Sequence, residues 1–164
     1  MIKEGNIMDL KLEARRATID DLSAIVNLLV EDELGQLREK SPDKLDQRYI
    51  DAFTLINNDP NQYLMVVEEN NQVIATCHLT IIPSLTFTGS TRMQIEAVRV
   101  SEKLRGHKIG EWMINKAIEY AKLRSASIIQ LTTNIKRPRA KIFYERLGFE
   151  STHVGMKLYL ENKT

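Results

Sequence analysis

The sequence predicts one α/β domain in which an antiparallel hairpin region is followed by a parallel β-α-β crossover. Three observations carry this prediction. The chain has 164 residues, enough for a single compact unit with a real core. Two alternating apolar runs in its first half are separated only by Glu69-Asn70-Asn71, the composition of a tight hairpin turn. Beyond residue 91 the pattern becomes strand, loop, helix, strand and helix, with no repeat or linker dividing the chain.

Residues 1–9 read as an N-terminal tail and residues 10–164 as the single domain. Residues 10–18 form a first strand, with Leu10, Leu12 and Ala14 alternating against Lys11, Glu13 and Arg15. Thr18 and Asp21 have capping-box spacing, and Leu22, Ile25, Val26, Leu29 and Val30 stripe the first helix. After a polar break, Ser41-Pro42 offers an N-cap and first-turn proline. Leu45, Tyr49, Ala52, Phe53 and Ile56 then stripe a second helix, which residues 57–60 stop. Strands over residues 63–68 and 72–82 make the hairpin, residues 83–89 a loop, and residues 91–100 the next strand.

The helix over residues 109–123 gathers Ile109, Trp112, Met113, Ala117, Tyr120 and Ala121 on one face. Ile128, Ile129 and Leu131 mark a short, largely buried strand. Pro138 opens and Gly148 closes a last helix whose Ala140, Phe143, Tyr144 and Leu147 share a face, and residues 154–160 alternate as a final strand.

Composition removes several function classes. Lys and Arg number 23 against 22 Asp and Glu, a net charge of +1, so no bulk field draws the chain to nucleic acid or an anionic membrane. Any anion site is therefore local. One cysteine, Cys77, excludes an intramolecular disulfide and a Cys-based zinc site, and fits a reducing cytoplasm. His78 and His153 have no metal-like spacing and read as structural or substrate-rim residues. No apolar run approaches the roughly 18 residues of a membrane span, and polar residues within 1–9 stand where a signal peptide has its apolar segment.

The strongest chemical signal runs from Val98 to Gly110, out of a strand and into a helix. It gathers Arg105, Gly106, His107, Lys108, Ile109 and Gly110 at the helix N-terminus. Exposed N–H groups and the positive end of the helix dipole suit a diphosphate there. The spacing matches neither the Walker P-loop nor the dinucleotide Gly-x-Gly-x-x-Gly. Just upstream, apolar residues occupy odd positions (Met93, Ile95, Ala97) and then even ones (Val98, Val100). A period-two strand changes parity only by inserting a residue, which predicts a β-bulge near Glu96, Ala97 and Val98 and an unpaired backbone N–H beside the turn.

On these residues the sequence resembles the GNAT superfamily of acyl-CoA-dependent N-acetyltransferases over about residues 10–160. Arg105, Ile109 and Gly110 match the family's pyrophosphate signature, Gln/Arg-x-x-Gly-x-Gly/Ala, with Lys108 in place of its middle glycine. Phe143-Tyr144 followed by Gly148-Phe149 matches its second signature, with Arg137 where the family usually has asparagine.

The resemblance implies a splayed mixed antiparallel/parallel sheet flanked by helices, with acetyl-CoA as cosubstrate and no metal. It implies pantetheine along Ala97, Val98, Arg99 and Val100, diphosphate at the turn, and further cofactor contacts from Asn134 and Arg139. Glu96 matches the family's general base and Tyr144 its general acid. Beside these roles stand a solvated strand carboxylate and a core aromatic. The expected activity is acetyl transfer to a primary amine by direct attack in a ternary complex. A peptide N-terminus or lysine as acceptor, and a non-catalytic CoA sensor, remain as alternatives.

Overall fold

The computed structural model describes residues 10–31 and 45–161. They fall into two compact units, one ending at Gln130 and one beginning at Leu131. The first contains β1 (Leu12–Arg16), α1 (Leu22–Val30), α2 (Gln47–Asn58), β2 (Gln62–Glu69), β3 (Gln72–Ile82), β4 (Thr91–Val100) and α3 (Ile109–Leu123). β5 (Ala126–Leu131) closes it, and the second unit contains α4 (Pro138–Arg146). The strands lie in the order β1-β2-β3-β4-β5. The first four are antiparallel neighbours, and the α3 crossover returns β5 parallel to β4.

Local chemistry accounts for the elements. Asn70 and Asn71, at φ 50° and 62°, make the two-residue β2–β3 turn. Two successive positive φ values give the type I′ geometry that matches strand twist, and asparagine tolerates them. α1 starts behind a 3-10 turn (Ile19–Asp21), where the Asp21 carboxylate accepts a 2.7 Å hydrogen bond from the Thr18 backbone N–H. Arg15 on β1 donates to both Asp21 oxygens, at 2.7 and 2.9 Å, and to Glu68 on β2 at 2.8 Å. This network ties the entry of α1 to the first two strands. α2 begins later than the sequence predicts: Asp46 is its N-cap and accepts from the Arg48 N–H, while Ser41-Pro42 lies outside the described residues.

The sheet separates two apolar layers. Leu64 and Val66 of β2 pack with Leu22, Ile25 and Val26 of α1 and Phe53 of α2. Alternation sends Met65 and Val67 to the opposite face, together with the cross-strand partners Cys77, Leu79 and Ile95. These are fully buried. α3, which packs on β3 and β4, covers that face with Ile109, Met113, Ile114, Ala117 and Ala121. Cys77 packs there as a small hydrophobe, and burial pushes its thiol pKa up to about 12.

Two predicted strands differ from the observed chain. β5 is only half-buried, because it ends the sheet order instead of lying inside it. Residues 154–160 form no strand, and Val154, Met156, Leu158 and Leu160 are exposed. Alternation supplies a face to bury, but a strand also needs a ladder partner. Among the described residues no helix is long and apolar enough to cross a membrane, and no group of three or more His, Cys, Asp or Glu side chains is placed to hold a metal ion.

The Arg15 hydrogen bonds, reinforced by the Thr18 N–H, hold the Asp21 carboxyl below its usual pKa even though burial opposes them. Asp21→Asn should therefore cost roughly 1.5–3 kcal/mol at pH 7, the range for charge-assisted hydrogen bonds, because Arg15 is partly exposed and keeps Glu68 as a partner. A depressed carboxylate pKa stabilises the fold above the unfolded value of about 3.9 and ceases to do so as pH falls through the native one. Urea denaturation at pH 7 and at about pH 2.5 should show the variant's deficit shrinking in acid; an equal deficit at both would assign the effect to shape instead of charge.

Candidate active site

β4 carries the predicted bulge. His78 pairs with Glu96 and Thr76 with Arg99, so Ala97 and Val98 together oppose Cys77 alone. Ala97 sits at φ 51°, in the left-handed region that disfavours a residue with a Cβ. The extra residue interrupts the ladder, which resumes at Thr76 and Arg99 and continues through Ala75 and Val100 to the 2.8 Å bond from the Ser101 N–H to the Ile74 carbonyl. Glu96 and Ala97 are both exposed, and Val98, Arg99 and Val100 half-buried. Glu96 thus stands at the bulge as a residue open to solvent.

From Val100 the backbone passes through a 3-10 turn (Glu102–Leu104) into the four residues before α3. Gly106 has φ 85°, with nothing within 4 Å of the place a Cβ would occupy. Lys108, the N-cap of α3, has φ 60° and ψ 18°. This explains why glycine suits that position: the backbone there is left-handed, and lysine adopts it at a steric cost. The first-turn N–H groups of α3 have no partner within the helix, so they point at the space beyond Lys108. His107 is held by its own turn, with Nδ1 3.1 Å from the Leu104 carbonyl oxygen. Arg105 is exposed and 3.8 Å from Glu102. Ile109 is buried and anchors the helix start, and Gly110 follows it.

One continuous stretch thus joins Glu96, Ala97, Val98, Arg99 and Val100 to Arg105, Gly106, His107, Lys108, Ile109 and Gly110. Cations at a helix N-terminus are unfavourable by themselves. Arg105 and Lys108 beside these N–H groups therefore build a local positive field on a chain of net charge +1, and an anion relieves it.

The other predicted residues belong to the second unit. Tyr144 on α4 is half-buried, edge-to-face with Phe143 at 5.0 Å and with Phe149 at 5.7 Å between ring centroids. Gly148, at φ 95°, turns the chain so that the Phe149 N–H donates to the Tyr144 carbonyl at 3.1 Å. The signature aromatics are therefore mutually packed. The Asn134 side chain accepts from the Lys136 N–H at 2.9 Å, which shapes the turn before α4. Arg139 is exposed and lines a shallow hollow with Ile142, Phe143 and Arg146.

Sequence reading missed a polar line on the Glu96 face of the sheet. Gln62, Thr80 and Gln94 stand side by side on three strands, and Gln130 of β5 donates to Gln94 at 2.8 Å. Only strand register reveals them, since single glutamines and threonines have no motif.

A family model described as the Acetyltransferase (GNAT) family matches residues 22–149. The chain is 30% identical over 142 residues to the aminoalkylphosphonate N-acetyltransferase of Salmonella typhimurium, spanning 86% of each sequence. A solved protein described as a transcriptional regulator from Bacillus halodurans is similar at 40% identity and a TM-score of 0.89, with coverage of 91% of this chain and 99% of that one. The fold is also that of a predicted acetyltransferase from Clostridium acetobutylicum solved with acetyl-CoA, at 23% identity, a TM-score of 0.71 and coverage of 91% and 96%.

The conformation of Lys108 yields a stability test. Lys108→Gly should leave the protein as stable or up to about 1 kcal/mol more stable, because it removes the left-handed penalty. Lys108→Val, with a β-branched side chain at the same φ, should destabilise by more than 1 kcal/mol, on the order of the strain such residues incur there. Urea midpoints in the order Val, Lys, Gly are expected; a glycine variant less stable than valine would contradict the left-handed assignment.

Proposed function

Because the chain belongs to the GNAT acetyltransferase family, we propose that it transfers the acetyl group of acetyl-CoA to a small primary amine by direct attack within a ternary complex. The observation that carries this reading is the unbroken run from the bulge at Ala97 to the left-handed turn at Lys108. An interrupted ladder and an N–H-rich helix start, joined by a few residues, suit a ligand with an amide-bearing arm and a diphosphate. The pantetheine amides would pair along Ala97, Val98, Arg99 and Val100 as an added strand does. The diphosphate would sit on the turn from Arg105 to Gly110. Asn134 and Arg139 are proposed for the remaining contacts, with residues 10–164 acting as one acetyltransferase domain.

In this reading the Glu96 carboxylate takes a proton from the acceptor ammonium, directly or through a water. The freed amine forms its bond to the acetyl carbonyl carbon, and backbone N–H at the bulge stabilises the charge that develops on oxygen. As the carbon–sulfur bond breaks, the new C–N nitrogen loses its second proton to solvent, while the Tyr144 hydroxyl gives its proton to sulfur and regains one from solvent. A thiol of pKa about 8.5 is the product, and a phenol near 10 is protonated at neutral pH, so the donor is in the right state. The similarity to an aminoalkylphosphonate N-acetyltransferase supports a small amine bearing an anionic group as acceptor. A peptide amine is the other acceptor class.

A second reading, CoA binding without transfer, draws on the 40% identical protein described as a transcriptional regulator. Turnover of acetyl-CoA with a panel of small amines, including an aminoalkylphosphonate, and with peptides bearing free amines separates the readings. Acetyl-CoA and CoA should both raise stability by about 2.7 kcal/mol at a hundredfold excess over their dissociation constants. No thermal shift with either would remove the acetyl-CoA assignment. Gly110→Val should weaken both ligands through crowding at the helix start, as read by calorimetry.

Tyr144→Phe keeps the ring packed against Phe143 and Phe149 while removing the proton. It should lower the transfer rate by roughly 10²–10⁴-fold with CoA affinity and folding nearly intact. Parallel loss of stability would assign Tyr144 to packing. Glu96→Gln should be most deleterious where the acceptor amine is protonated, with the deficit narrowing as alkaline pH supplies neutral amine. Wild-type rates at every pH would make Glu96 structural.

A further inference from the structure

The sheet face that carries Glu96 brings a second titratable group to it. In the β3–β4 register His78 stands directly opposite Glu96, so both side chains leave the sheet on the same face. β2 supplies a third member. Gln62 pairs with Thr80 and Leu64 with His78, which sets the Gln62 amide diagonal to the imidazole. His78 Nε2 lies 2.6 Å from Gln62 Oε1, and the same oxygen accepts a 2.9 Å hydrogen bond from the Thr80 hydroxyl. An amide oxygen only accepts, so the ring carries its proton on Nε2 and presents Nδ1 as an acceptor.

The surroundings keep this ring neutral. His78 is half-buried, and burial lowers its pKa from the ordinary value while the Glu96 carboxylate acts the other way. Arg99 shares the face one register pair further along, opposite Thr76. Gln62 and Leu64 face the ring from β2, and α1, packed on β3 and β4, has no titratable side chain between Leu22 and Val30.

A carboxylate that accepts a proton from an ammonium ion must lose it before the next turnover, and carboxyl groups hold protons only weakly at neutral pH. An imidazole exchanges protons most readily between pH 5 and 8. We propose that His78 is a positioning residue that relays the proton Glu96 takes from the acceptor, with Gln62 fixing the tautomer that makes its Nδ1 the acceptor. The inference rests on the reading of Glu96 as base. The ammonium N–H bond breaks as the Glu96 O–H forms; because no direct hydrogen bond joins Glu96 to His78, an intervening water takes the carboxyl proton as one of its own passes to Nδ1. The imidazolium releases one proton to water, so carboxylate and neutral ring are both restored.

Two measurements test this. Imidazole nitrogen NMR on the unaltered protein should show His78 as the Nε2–H tautomer near pH 8, titrating below about 6.5. In Glu96→Gln that titration should move lower still, because the variant lacks the charge that favours the imidazolium. An Nδ1–H tautomer, or a titration indifferent to Glu96→Gln, overturns the relay without recourse to activity.

In the transfer assay, with an aminoalkylphosphonate or whichever panel amine is turned over, His78→Gln should lower kcat roughly tenfold or more below neutral pH. It should leave KM for acetyl-CoA within about twofold, because the ring is not proposed to touch that ligand. It should add little in the Glu96→Gln background, as expected for two groups acting in one step. Full additivity, or wild-type rates across pH, overturns the relay while leaving the enzyme reading intact. Absence of transfer by the unaltered protein with every amine overturns the enzyme reading itself.

Discussion

The change of parity in β4 governs the arrangement around the site. Met93 and Ile95 fill the layer beneath α3 and are almost fully buried. Continued alternation would aim Ala97 and Arg99 into that layer and turn Val98 and Val100 away from it. One inserted residue corrects the facing, and Ala97 absorbs it at φ 51°. The same insertion interrupts the ladder between the His78–Glu96 and Thr76–Arg99 pairs, close to the end of β4 at Val100. Core packing and the opening of the backbone at Ala97 are thus two results of one local constraint.

Rigidity on either side makes that opening useful. β3 lies between β2 and β4, fixed by registers on both edges, and α3 is seated by residues that exclude solvent completely, including Met113, Ile114 and Ala117. Between these supports, the segment from Ser101 to Lys108 must turn quickly from strand to helix. It uses a 3-10 turn and two left-handed residues, Gly106 and Lys108. Glycine takes this conformation freely, whereas at Lys108 it persists only where the surroundings over-determine it. The Arg15, Asp21 and Glu68 network performs a comparable service at the other end of the sheet, where it holds α1 against the face that carries His78 and Glu96.

Much of this was legible in the sequence because it rests on near-neighbour rules. The hairpin at Asn70-Asn71, the bulge at Ala97, the α3 stripe and the Thr18/Asp21 cap all follow from period, parity or spacing. What was not legible depends on residues far apart in the chain. The exposure of Glu96, the half-burial of β5 and the absence of a strand over residues 154–160 are set by neighbours that no local pattern specifies. Ser41-Pro42 was an attractive helix start, yet Asp46 caps α2. His78 appeared unremarkable until strand register set it opposite Glu96 and diagonal to Gln62. The meaning of Lys108 lay between these cases: its departure from glycine was visible, but not that its backbone keeps the left-handed shape.

The central claim is that the run from the bulge to the start of α3 receives CoA. Backbone amide chemical shifts, followed by NMR as CoA is added, test it most directly. The account predicts the largest changes at Ala97 to Val100 and at Arg105 to Glu111, with the amides of β1 and α2 nearly still. Changes centred on β1 or α2, or an undisturbed turn at saturating CoA, would contradict it.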